Sequence, residues 1–228
     1  METISLASLI EEAVADADIK KLSGNVTSFE LLRTEESFIA LEQAHSGVFA
    51  FLAFHPEADG AVADYVREGT LGSDSGAHIL VLYTDDAALR TPGRTLAVDG
   101  VDIDSGVHPA YEMARTLFAP KTPPPLPGII FVDRFTGEGC ALYSGLDELS
   151  DAAEVRGRLR ALFALAENAL GPEPNRDKFG KSFGIALQAA QIPYERAGRA
   201  SLREWLIRGY QNVVQRGSDL VTVIGALL

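Results

Sequence analysis

Pro127-Gly128-Ile129-Ile130-Phe131-Val132-Asp133 leads, through Thr136-Gly137-Glu138-Gly139, into Cys140-Ala141-Leu142-Tyr143. Each flank is an apolar run of strand length and the segment between them is rich in turn formers, so the pair is predicted as an antiparallel hairpin. A link this short cannot return the chain for a parallel pairing, which needs a dozen residues or more. The hairpin therefore argues against an all-parallel sheet and for a mixed one.

Toward the N-terminus, Val48-Phe49-Ala50-Phe51-Leu52-Ala53-Phe54 and His78-Ile79-Leu80-Val81-Leu82-Tyr83 are nearly continuous apolar runs, the pattern of strands covered on both faces. His55-Pro56-Glu57-Ala58-Asp59 follows the first run and is predicted to open a helix. Its proline falls in the first turn, where a missing N–H does no harm, and Val62, Tyr65 and Val66 lie on one side. Residues 69–76 read as a Gly/Ser-rich loop, residues 95–103 as a short hairpin and residues 107–118 as a helix. Nearer the start, residues 4–19 place Leu6, Leu9, Ile10, Val14 and Ile19 at mostly helical spacing, and Ser23-Gly24-Asn25 stops that helix. Residues 26–32 are predicted as a strand, with Thr34-Glu35-Glu36-Ser37 opening a helix that Gly47 closes.

Beyond the hairpin, residues 147–170 carry a strong helical pattern, ended by Gly171-Pro172. Residues 175–191 and 201–216 predict two more helices, the second opened by a capping box of Ser201 and Glu204. The chain thus divides into an N-terminal helix (1–24), an α/β domain (25–171) and a C-terminal helical extension (172–228).

A chain of 228 residues, 46% of them hydrophobic, is long enough to bury such a core. Its formal charge of −12 disfavours nucleic acid and anionic lipid as partners. From Glu173 onward eight Arg and Lys face five acids, a net of +3, which leaves −15 on the first 172 residues. The single cysteine cannot form an internal disulfide, and the first residues lack the basic flank of a secretory signal, so a reducing cytoplasm is the expected compartment. The apolar tail at 220–228 is far shorter than the ~20 residues that span a bilayer and is expected to pack on the core.

In order, residues 26–170 read β, α, β, α, β, α, β, β, α. Three strands joined by helices, then a hairpin and a closing helix, with Pro127 directly before the strand Ile129-Ile130-Phe131-Val132, resemble the thioredoxin-like fold. A flavodoxin-like order fits less well because of the hairpin. The resemblance implies a mixed sheet with helices on both faces, a cis-proline at Pro127, and a redox loop in the place of His55-Pro56-Glu57-Ala58-Asp59. In that family a thiolate at a helix N-terminus attacks a disulfide and a second cysteine resolves the intermediate. Here the loop has neither sulfur, so thiol–disulfide oxidoreductase activity is not expected, and the resemblance implies a redox-inactive binding or scaffold module.

The residues of interest are then His55, Glu57 and Asp59 in the vacated loop and Pro127 beside it. His55 with Glu57 and Asp59 could form a small polar or metal site at a helix N-terminus, although a loop histidine satisfied by its neighbours explains the same pattern. His45, His78 and His108 share no metal-ligand spacing with His55. Asp99, Asp102 and Asp104 cluster beside Gly100 and Gly106 but lack the ligand ladder and terminal Glu of a calcium loop. Cys140, inside a predicted strand, reads as a small buried hydrophobe. Neither a metal nor a cofactor is predicted. On the last helix Arg203, Trp205, Arg208 and Tyr210 have the composition of a packed face or of an interface.

The expected function is a non-catalytic module acting through protein–protein contacts, as an adaptor or by self-association through the C-terminal helices. The alternative is an enzyme or small-molecule binder using the loops around His55 and Glu57 or around Asp102 and Asp104.

Overall fold

The computed structural model describes residues 3–5, 42–43, 45–83, 95–98, 101–104, 108–118, 122–134 and 139–196. The unbroken apolar run after Gly47 becomes strand β2 (Val48–Ala53), buried along its whole length. It is central because both neighbours cover it: β3 (Ile79–Tyr83) pairs with it in parallel and β6 (Gly128–Val132) antiparallel. Outside these lie β1 (Thr3–Ser5), parallel to β3, and β7 (Ala141–Gly145), antiparallel to β6. A two-residue strand, β8 (Glu195–Arg196), pairs with β7 and completes the order β1-β3-β2-β6-β7-β8. A separate hairpin joins β4 (Thr95–Val98) to β5 (Val101–Asp104), as its sequence predicts. The protein is therefore a mixed α/β structure, and the predicted 128–143 hairpin is the antiparallel part of its sheet.

Cross-strand partners share a face, which sorts the helices. Ala50, Phe131 and Leu142 are aligned and belong to the main apolar cluster, which also includes residues of α1 (Gly60–Arg67), α4 (Ala152–Leu170) and α5 (Arg176–Ala189). Phe51, Ile130 and Tyr143 are aligned on the opposite face. There Phe118 of α3 (Pro109–Phe118) meets Tyr143 edge to face, with ring centroids 5.8 Å apart. Helices thus cover both faces of the sheet. Among the described residues no helix is long and apolar enough to cross a membrane.

Residues 176–189 do not form a helix set apart from the body. Phe179, Phe183 and Leu187, spaced four residues apart along α5, are buried in the same cluster as Phe131 and Phe163. Phe183 stacks on Phe179 at 5.1 Å and meets Phe131 edge to face at 4.8 Å. At the start of the helix, Arg176 donates to the carbonyl of Gly47 at 2.5 Å and to that of Glu42 at 2.8 Å, and lies over the ring of Phe49. Burial pulls its guanidinium below the usual arginine range, with Glu42 opposing that pull.

Three local expectations change. Thr3–Ser5 form a strand, so Ile4 and Ser5 do not begin the N-terminal helix expected from residue 4; its remainder, and the strand expected at 26–32, lie outside the described residues. The Gly/Ser-rich stretch at 69–76 holds a short helix, α2 (Leu71–Asp74), instead of a loop. Its Asp74 carboxylate, 3% exposed, accepts from Tyr65 at 3.1 Å and Thr70 at 3.2 Å and pairs with Arg160 at 2.8 Å and Arg156 at 3.5 Å. That buried carboxylate ties α1 and α2 to α4. Burial, followed by the field of Asp74, holds the Tyr65 phenol well above its usual range. Finally, α1 begins at Gly60 and not in the Pro56 turn, because the Asp59 carboxylate accepts from the backbone N–H of His55 instead of capping the helix.

Candidate functional site

The register places one end of the sheet at the centre of interest. Ala53, Gly128 and Gly145 are aligned there, at the carboxyl ends of β2 and β7 and the amino end of β6. Leu146 N–H donates to the carbonyl of Pro127 at 2.9 Å, and the Leu126–Pro127 peptide is cis. Tyr143 donates to the carbonyl of Pro125 and lies near that of Pro127, which anchors the proline segment over the sheet. Gly128 is required beneath it, since a Cβ there would overlap the Tyr143 ring. Burial first, then Asp147, Glu195 and Asp59, hold the Tyr143 phenol well above its usual range.

The chain leaving β2 at this end folds back on itself. The carbonyl of His55 accepts from Ala58 N–H at 3.1 Å and Asp59 N–H at 2.9 Å. His55 N–H donates to the Asp59 carboxylate at 2.6 Å, and Glu57 N–H donates to the His55 Nδ1 at 3.3 Å. Every one of these bonds is local, so the segment holds its shape as a closed turn.

His55 and His108 are then brought together. Their rings are 4.8 Å apart between centroids, and Tyr111 lies 6.4 Å from His55 on the same side. His108 is buried, at the start of α3, where its Nδ1 accepts from Ala110 N–H at 3.4 Å. Tyr111 is exposed, and its phenol is raised by partial burial and then by the Asp59 charge. No spacing rule links His55 to His108; the only sequence signal was a histidine at the start of each of two segments that the sheet order brings to the same end.

The other expected residues are distributed elsewhere. Asp102 and Asp104 stand opposite Ala97 and Thr95 in the β4–β5 hairpin, in a sheet distinct from the main one, and Asp99 is outside the described residues. Arg203, Trp205, Arg208 and Tyr210 are also outside them. His78 is held by Glu167 of α4, through its backbone N–H at 2.7 Å and its Nδ1 at 2.9 Å. Among the described residues no group of three or more His, Cys, Asp or Glu is arranged to hold a metal ion.

Cys140 lies at the opposite end of the sheet, immediately before β7 and not within it, where Val132 pairs with Ala141. It is half-buried against Gly180 of α5, where a Cβ would strike its Sγ. Burial pushes its thiol up, Arg196 pulls it down and Asp133 pushes it up further. This environment suppresses the thiolate that exchange chemistry needs. Asp133, itself buried, accepts from the Cys140 N–H at 2.8 Å and closes the far end of the hairpin.

The chain matches no family model, no curated protein and no solved structure. Its functional reading rests on its own geometry.

Proposed function

We propose that this chain is a redox-inactive, thioredoxin-like module that binds a protein partner at the sheet end carrying the His55 turn. The reading is supported by two parallel pairings (β1–β3 and β3–β2) followed by two antiparallel ones (β2–β6 and β6–β7), with helices on both faces. The observation that carries it is the separation of sulfur from the loop. His55-Pro56-Glu57-Ala58-Asp59 closes on its own hydrogen bonds, and the single cysteine is one sheet length away and half-buried. A site built this way offers shape, an exposed aromatic at Tyr111 and acidic side chains at Glu57 and Asp59. Residues 197–228 bring Arg203, Trp205, Arg208 and Tyr210, the residue types that dominate interface energetics, as a second contact region or a means of self-association.

Two measurements test it. Insulin reduction by dithiothreitol should run at the same rate with and without the chain, and acceleration would overturn the redox-inactive part. Peptides enriched by display against the full chain should lose about tenfold or more in affinity on Tyr111→Ala or Trp205→Ala, the loss of one anchor contact. Absence of any enriched peptide, or indifference to both substitutions, would overturn the binding part.

The pairing of two imidazoles beside a tyrosine and a carboxylate favours a second reading, a small-molecule site at the same turn. A metabolite screen that raises the melting temperature of the wild type but not of Tyr111→Ala would put it first.

A further inference from the structure

We draw no further inference here: the strongest candidate, the exposed Tyr111 with the Glu57, Asp59 and Asp147 carboxylates at the His55 end of the sheet, belongs to the site already described, and nothing in the structure shows what covers it.

Discussion

Replacing Phe183 by alanine tests whether α5 is part of the body or an appended helix. The side chain is fully buried, stacked on Phe179 and edge-on to Phe131, in the cluster that also holds Phe163 and Leu159. Phe→Ala in such a site costs about 3–5 kcal/mol, and losing two aromatic partners puts this one toward the upper end. For a chain of this size each kcal/mol lowers the melting temperature by about 2–4 °C, so a fall of roughly 8–20 °C is expected. Urea unfolding followed by circular dichroism reads the loss directly, with Phe183→Leu as a milder variant should the alanine form not fold. Ile185, on the outer side of the same helix and 59% exposed, is the control, and Ile185→Ala should change stability by less than about 0.5 kcal/mol. A chain ending at Gly171 should lose cooperative unfolding, because it uncovers Phe131 and Phe163. A Phe183→Ala cost below about 1 kcal/mol, or a shortened chain that melts like the full one, would refute the placement of α5 in the core.

Asp74→Ala should cost roughly 2–3 kcal/mol, less than a fully buried pair because Arg156 and Arg160 are partly exposed, and the loss should shrink in an Arg156→Met background. Gln191 holds a positive φ of 56° at the end of α5, with Ile192 N–H bonded to the Leu187 carbonyl and its own N–H to that of Gln188. Gln191→Gly should therefore stabilise the chain by about 0.5–1 kcal/mol in the same urea assay. Burial holds the Asp133 carboxyl above the usual carboxylate range, against its hydrogen bond from Cys140 and the Arg134 charge. The native state thus binds that proton more tightly than the unfolded chain, so the charged form lowers stability at neutral pH, and the penalty fades as pH falls through the folded-state value. Asp133→Asn, which keeps an acceptor for the Cys140 N–H, should raise the urea midpoint at pH 7 and lose that advantage near about pH 4.

The parts of the fold that could be read in the sequence are those decided within one segment. The β6–β7 hairpin follows from a turn too short for any other pairing, and β2 from an apolar run with no polar alternation. The helix expected over 147–170 spans 152–170: its end is legible in Gly171, which holds a φ of 77°, whereas it starts only at Asp151, whose side chain accepts from the Glu154 N–H at 2.9 Å. What could not be read depends on neighbours distant in sequence. The stretch at 69–76 looks like a loop until Asp74 finds Arg156 and Arg160 from α4, and residues 176–189 look detachable until Phe183 meets Phe131. The candidate site shows the same division. The absence of sulfur from the loop after β2 is plain from composition, and it excludes thiol exchange there. His55 meets His108, at the start of a helix on the other face of the sheet, only once the chain is folded. Since β2 and α3 converge at that end through sheet order and not through any motif, a change that shifts the register of β2 against β6 should separate the two rings while leaving every local sequence signal intact.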